Sequence, residues 1–199
     1  MNAQMLSGIV VSISVKNSKL GKVHSVSLLP VVSCPANAPC IKACYARRCL
    51  RHTSCREAWT RNWEAFKASA DDFFNQIHNH IQKHKPALFR WHIGGDIPSL
   101  DYLVWMIAIA RANPGTKFLA FTKNMEAFSY WNEHNAKPAN LVIRFSNWLD
   151  YRMEGSTVSE FIPTGHEVPA DSLICQGDCT VYGHKCWDAS YGKVALLQH

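Results

Sequence analysis

The sequence contains no long hydrophobic run and no export signal. Its longest apolar run, Leu103 to Ala110, is far shorter than the ~20 residues that a membrane-spanning helix needs. The first residues lack the charged segment, apolar stretch and small-residue cleavage site of a signal peptide. These absences predict a soluble, cytoplasmic protein without membrane contacts.

Internal repeats, low-complexity tracts and long linkers are also missing. The 199 residues are 47% hydrophobic and 18% charged, which is typical of one globular domain with a sizeable core. They are too few for the strand–helix units of a closed (β/α)8 barrel. We therefore expect one domain over residues 1–199. It divides into N-terminal strands (1–32), a cysteine loop (33–55), a β/α core (56–147) and a cysteine-containing tail (148–199).

Cysteine, by contrast, is abundant and clustered. Five of the eight cysteines lie between Cys34 and Cys55, and the other three are Cys175, Cys179 and Cys186. A reducing cytoplasm keeps thiols free, so these short spacings favour metal ligation over disulfides. If the chain were exported, four disulfides would be the simpler interpretation.

The first group, Cys34-x5-Cys40-x3-Cys44, places three thiolates on one short loop. Three protein ligands leave a fourth metal position open to a substrate or cofactor, which favours an iron–sulfur cluster. The alternative is a structural zinc site that recruits Cys49 or Cys55, and spacing alone does not separate the two metals.

The second group, Cys175-x3-Cys179-x6-Cys186, is again a set of three thiolates, with His184 as a possible fourth ligand. It could hold a second cluster or a structural zinc, or it could donate one ligand to the first site. A structural role is the simplest interpretation, since the tail otherwise shows little hydrophobic periodicity.

Two histidines in a helical segment, His80 and His84, are one turn apart and could chelate a metal. A solvated helix face is the simpler interpretation of this pair.

Alternating strand and helix patterns predict an α/β fold with a parallel, partial-barrel-like or open sheet. We expect strands at 8–15, 23–32, 87–93, 117–122 and 140–146. We expect one long helix from a capping box at Ser54 and Glu57 to Pro86, and two more helices capped by Ser99 and Asn124. Beyond Trp148 we expect a loop-rich, metal-binding tail.

The residues that follow these strands are polar or metal-ligating. Besides the first cysteine group, they are Gly94, Gly95, Asp96, Lys123, Ser146 and Asn147. Because ligands bind beyond the carboxyl ends of parallel strands, these residues should share one cofactor-binding edge. The glycines would allow close backbone approach, and Asp96 would accept hydrogen bonds from an amine or a ribose hydroxyl. A tight turn with a solvated aspartate, and a solvated lysine, are the alternatives.

The net charge of +6 is partly concentrated around the first cysteine group. The residues concerned are Arg47, Arg48, Arg51, His52, Arg56 and Arg61. Such a patch attracts an anionic substrate or nucleic acid, or it balances the negative charge of a thiolate-bound cluster.

The stretch from Cys40 to Ala46, followed later by Gly94-Gly95-Asp96, resembles radical S-adenosylmethionine enzymes. That resemblance implies a [4Fe–4S] cluster on three loop cysteines, with S-adenosylmethionine bound at the open iron and its amino group at the glycine turn. The radical-enzyme spacing C-x3-C-x2-C would place a cysteine where Arg47 stands, and Asp96 replaces a glutamate.

Three further segments resemble the phage gene product 88 family more closely, over about residues 20 to 190. They are Phe89 to Asp96, Phe118 to Lys123, and Cys186-Trp187. A phage protein would act in the cytoplasm of its host.

Three hypotheses therefore stand. The first is a radical-type enzyme with one or two [4Fe–4S] clusters and S-adenosylmethionine. The second, favoured by the incomplete cysteine spacing, is a non-catalytic or electron-transfer iron–sulfur protein. The third is a zinc-stabilised nucleic-acid-binding module.

Overall fold

Residues 8–198, which the computed structural model describes, are organised around one sheet of seven parallel strands. The strands are β1 (His24–Val26), β2 (Leu88–Trp91), β3 (Lys117–Thr122), β4 (Leu141–Asn147), β5 (Val158–Ile162), β6 (Ser172–Cys175) and β7 (Lys193–Leu197). The helices are α1 (Ala46–Cys49), α2 (Thr53–Ala68), α3 (Ala70–His84), α4 (Leu100–Ala112), α5 (Met125–Glu133) and α6 (Cys179–Tyr182). Two 3-10 turns cover Pro39–Ile41 and Lys185–Trp187. The predicted α/β class with a parallel sheet is confirmed.

The strand order is β1-β2-β3-β4-β5-β7-β6, and every neighbouring pair is parallel. From β1 to β5 the chain steps in one direction, so right-handed crossovers place α2 to α5 on one face. The step from β6 back to β7 is reversed, which places its connection on the opposite face. β1 and β6 form the two edges, and within the described chain no strand joins them. The partial-barrel shape stays a prediction.

Both faces of the sheet are covered, as its nearly continuous apolar strands require. The larger core, on the helix face, includes Phe89, Trp91, Phe118 and Phe145. On the other face Leu119 and Val142 pack with Val23 and with Trp187 from the second 3-10 turn. Burying a large apolar side chain stabilises a fold by about 1.5–3 kcal/mol, so the tail is held to the sheet partly by Trp187.

The prediction of one long helix before Pro86 is wrong, because the chain breaks at Ser69. Ser69 has an extended backbone, and its side chain accepts a hydrogen bond from the Asp72 backbone N–H at 3.2 Å. A serine that caps the next helix ends the preceding one. The predicted capping box at Ser54 is also wrong, since α2 begins at Thr53 without a side-chain cap. Among residues 8–198 we find no helix long and apolar enough to cross a membrane.

The predicted first strand, 8–15, is also wrong. This segment makes only an isolated antiparallel bridge between Ser14 and Ser25. The fully buried Asn62 side chain accepts from the Ser12 N–H at 2.7 Å and donates to the carbonyls of Ser12 and Ser27, both at 2.9 Å. A helix amide therefore supplies hydrogen bonds that a neighbouring strand would otherwise make.

The tail contains more regular structure than its sequence predicted. It contributes β5, β6 and β7, each only four or five residues long, to the same sheet as the core. Strands this short carry too few residues for a clear alternating pattern.

Candidate functional site

The first cysteine group lies beyond the carboxyl end of β1, close to the residues that follow β2 and β3. Burial, followed by the charges of Asp96, Cys40 and Cys44, raises the pKa of the Cys34 thiol to about 12. Burial also raises the pKa of Cys40, and the nearby positive charge of Lys123 opposes that rise. The structure therefore brings together the three thiols, Asp96 and Lys123, as the strand ends predicted.

Gly94 and Gly95 are required by contacts within the protein. A Cβ at Gly94 would come within 2.3–2.9 Å of the Trp59 ring. Gly95 has φ +84°, and a Cβ there would meet Ser33 Oγ at 2.7 Å and Leu28 at 2.9 Å. The turn thus packs against α2 and the start of the cysteine loop. Close approach of a ligand to this turn stays a prediction.

The Asp96 carboxylate links the end of β2 to the end of β3. It accepts hydrogen bonds from Thr122 Oγ1 at 2.6 Å, the Ile97 N–H at 2.6 Å and the Lys123 N–H at 2.8 Å. Burial raises the pKa of Asp96 to about 6, although these hydrogen bonds oppose the rise. The side chain is 6% exposed, so it is a buried, hydrogen-bonded carboxylate instead of a solvated one.

Lys123 and Ser146 meet, whereas Asn147 is engaged elsewhere. The Lys123 ammonium donates to Ser146 Oγ at 3.0 Å and to the Ser146 carbonyl. Asn147 donates to Glu160 Oε1 at 2.7 Å and accepts from the Met153 N–H at 2.8 Å. Asn147 therefore fixes the chain after β4. Its side chain makes no hydrogen bond with Lys123 or Ser146, and its predicted contact with a cofactor stays a prediction.

The second cysteine group forms a separate pocket on the face opposite α2 to α5. Cys175, Cys179 and Cys186 all line one cavity of about 180 Å³. Burial, then the charges of Cys186 and Cys175, raises the pKa of Cys179 to about 11, and Arg90 opposes this. His184, the possible fourth ligand, has Nε2 3.0 Å from the Leu20 carbonyl oxygen.

Two arginines beside this pocket, the fully buried Arg144 and the half-buried Arg90, were not identified from the sequence. Arg144, with 0% exposure, donates to the carbonyls of Cys186 and Asp188 at 2.8 Å and to that of Gly192 at 3.3 Å. Arg90 lies 4.2 Å from the centroid of the Phe121 ring, and its charge acts on the tail thiols. The sequence did contain a signal for both residues, because each is an arginine within an otherwise largely apolar strand, Arg90 in β2 and Arg144 in β4.

Neither arginine, nor Lys123, forms a salt bridge with any residue in the described part of the chain. Burying a charge without an opposite partner is costly. Both thiol groups thus lie next to buried positive charge that lacks a carboxylate at ion-pair distance.

The remaining two cysteines, Cys49 and Cys55, lie next to each other. Burial, followed by the charge and hydrogen bonding of the neighbouring Cys49 thiol, raises the pKa of Cys55 to about 11. The arginine patch next to them is exposed along α1 and α2. Its members are Arg47, Arg48, Arg51, His52, Arg56 and Arg61.

All eight cysteines are free thiols. Within residues 8–198 no three His, Cys, Asp or Glu side chains stand in a ready-made metal-binding arrangement. The donor chemistry still suits a soft metal, because each group offers three neighbouring thiols beside a buried cation. Metal ligation by these cysteines stays a prediction.

His92, between β2 and the glycine turn, should make stability depend on pH. It is 3% exposed, has φ +58°, and its Nε2 is 2.9 Å from the Tyr102 hydroxyl. Burial, then the charge of Arg90, lowers the pKa of His92 to about 3. Between pH 6.5 and pH 3, His92 is protonated in the unfolded protein, where its pKa is about 6.5, but stays neutral in the folded protein. This stability is fully present above pH 6.5 and is lost as the pH falls towards 3.

We expect His92 to remove about 2 kcal/mol of stability between pH 7.5 and pH 5. Asp96 acts in the opposite direction, since its raised pKa favours the folded state as the pH falls below 6. Urea unfolding at both pH values should therefore compare the wild type with His92→Asn, because asparagine tolerates a positive φ. Equal pH dependence in the two proteins would contradict this assignment.

The comparisons with known proteins show the family of this chain. The family model described as "Gene product 88" matches residues 10–172. The chain belongs to the gene product 88 family. The chain is also 30% identical to the "Gene 88 protein" of Mycobacterium phage L5 over 125 residues, 57% of this chain and 52% of that protein. The chain thus spans about half the length of this curated relative. No solved structure matches.

The region that matches the gene product 88 family is shorter than the sequence resemblance predicted. It contains the first cysteine group and the glycine turn, but it ends at residue 172. The second cysteine group and Cys186-Trp187 lie beyond it. The first cysteine group therefore lies inside the region that the family model matches, and the second cysteine group lies outside it.

Proposed function

We propose that this member of the gene product 88 family is an iron–sulfur protein. Cys34, Cys40 and Cys44 hold a [4Fe–4S] cluster, and the three tail cysteines hold a second cluster or a structural zinc. The observation that carries this proposal is that each thiol group lies beside a buried cation, Lys123 or Arg144, that forms no salt bridge within residues 8–198.

The charge argument applies to both groups. Arg144 is fully buried and donates only to carbonyl oxygens, and Lys123 is 6% exposed and donates to Ser146. The Cys34 and Cys179 thiols are protonated at neutral pH, because burial raises the pKa of each. Ligation by a metal requires the thiolate form, which would place negative charge beside each cation.

The finer proposal is a radical-type enzyme that binds S-adenosylmethionine beside the Gly94-Gly95 turn and the contact between Lys123 and Ser146. When bound and reduced, the cluster would supply the electron that cleaves the cofactor. The Asp96 carboxylate already accepts three hydrogen bonds, so its part would be to hold the glycine turn against β3. Lys123 and the arginine patch would attract an anionic substrate.

Metal analysis of anaerobically purified protein tests the proposal. We expect iron and sulfide in the wild type. The iron content should fall in Cys40→Ser, the iron or zinc content should fall in Cys179→Ser, and both should be retained in the control Cys55→Ser. Zinc alone after cluster reconstitution would exclude the redox functions. Complete loss of metal from both ligand variants would indicate one shared site in place of two.

Cofactor cleavage is tested separately on the reduced, cluster-loaded protein. Formation of 5′-deoxyadenosine or methionine from S-adenosylmethionine would support the enzyme. Reversible one-electron reduction, with spectra that S-adenosylmethionine does not change, would instead support an electron-transfer protein.

A second candidate function, nucleic-acid binding, is favoured by the exposed arginine patch. None of its five arginines forms a salt bridge within residues 8–198. Binding that rests on phosphate contacts must weaken steeply as salt increases. Double replacement of Arg47 and Arg51 by glutamine should weaken it further, and salt-independent binding would exclude this mode.

A further inference from the structure

Three histidines from two elements meet at the β1 edge of the sheet. His24 lies in β1, and His80 and His84 lie one turn apart in α3. Nδ1 of His24 is 2.9 Å from Nε2 of His80. The ring centroids of His80 and His84 are 4.4 Å apart, and those of His24 and His84 are 6.0 Å apart. The helical pair therefore has a third imidazole from a strand 56 residues away from His80.

We propose that His24, His80 and His84 bind a divalent transition-metal cation of the Zn²⁺ type, which ties the edge strand β1 to α3. The site is independent of the cysteine groups and of the function proposed for them. Imidazole nitrogens are preferred ligands of Zn²⁺ and Ni²⁺, and three of them leave a fourth position for water.

The geometry needs only small changes. Two nitrogens bound at about 2.0–2.1 Å to a tetrahedral Zn²⁺ stand roughly 3.4 Å apart. The 2.9 Å separation between His24 and His80 is close to this value. His84 is exposed, so its ring can turn towards the pair without disturbing the core. After that rotation, one nitrogen from each of the three rings would face the same point and could bind one cation.

Proton chemistry also favours a metal. One of the two nitrogens that face each other now carries the shared proton, and the donating ring can adopt its other tautomer so that both lone pairs face the cation. Burial, with the charges of His84, His24 and Lys83, lowers the pKa of His80 to about 4. Burial and His84 also lower the pKa of His24.

Calorimetric titration of the full chain with Ni²⁺ tests the site, because Ni²⁺ suits imidazole whereas thiolate selects softer metals. We expect the wild type to bind one Ni²⁺ at this edge, in competition with Zn²⁺. His84→Gln and His80→Gln should each weaken binding at least tenfold. His84 is exposed, so its variant should unfold like the wild type without metal, and Ni²⁺ should raise the unfolding temperature of the wild type only.

Two matched controls separate this site from others. His166→Gln replaces an exposed histidine between β5 and β6 and should leave Ni²⁺ binding unchanged. A double Cys40→Ser, Cys179→Ser variant should also keep the site. Equal Ni²⁺ affinity in His84→Gln and the wild type, or loss of Ni²⁺ from the cysteine variant, would overturn the proposal.

Discussion

Replacing Gly95 with alanine should destabilise the protein by about 3 kcal/mol, from left-handed backbone strain and from overpacking together. Gly95 has φ +84°, and the added Cβ would lie 2.7–2.9 Å from Ser33 Oγ and from the backbone oxygen and Cβ of Leu28. Leu28 is anchored to the same turn, since its N–H donates to the Gly94 carbonyl at 3.0 Å. The clash therefore cannot be relieved by moving one flexible side chain. Urea unfolding measures the loss.

Gly165 provides a matched control. It also has φ +84°, but a Cβ there would meet no atom within 4 Å. Gly165→Ala should therefore cost only the backbone strain, about 1–2 kcal/mol. The difference between the two variants isolates the packing of the glycine turn against the cysteine loop. Equal losses in the two variants would show that this packing is unimportant.

Replacing Arg144 with methionine should destabilise the protein by a similar amount. Arg144 joins β4 to the carbonyls of Cys186, Asp188 and Gly192. Hydrogen bonds from charged donors contribute about 1.5–3 kcal/mol each, and the cost of burying the guanidinium offsets part of their sum. We expect a net loss of about 3 kcal/mol, because methionine leaves the partly buried Cys186 carbonyl without this donor. Urea unfolding and limited proteolysis of the tail measure it.

Arg144→Lys separates charge from hydrogen bonding. Lysine keeps the positive charge but cannot donate in a planar fork to three carbonyls. If buried charge holds the tail thiolates, the lysine variant should retain tail metal while the methionine variant loses it. A methionine variant as stable as the wild type would show that desolvation of Arg144 outweighs its hydrogen bonds.

The helix caps and the middle strands could be predicted from the sequence because their signals are local. Ser99 accepts from the Tyr102 N–H at 3.3 Å, and Asn124 accepts from the Ala127 N–H at 3.0 Å, so both predicted caps are confirmed. The predicted strand at 117–122 matches β3, and that at 140–146 is shifted by one residue in β4. Caps and apolar runs depend on neighbouring residues, which the sequence displays directly.

The meeting of the first cysteine group with Asp96 and Lys123 followed from one general rule about parallel sheets. The rule did not assign roles to the residues. Gly94 and Gly95 are explained by Trp59 and Leu28, which are 35 or more residues away along the chain and whose contacts no local pattern reveals.

The sequence alone determined the α/β class, the two cysteine groups and the residues at the strand ends. Only the tertiary structure decided which distant residues lie beside the cysteine groups and beside the strand ends. The reversed order of β7 and β6 carries the tail to the face opposite the helices, where Arg90 and Arg144 lie. Pairing of β1 at the sheet edge likewise brings His24 to His80 and His84. These contacts arise from strand order and crossover direction, which depend on long-range packing and leave no periodic trace in the sequence.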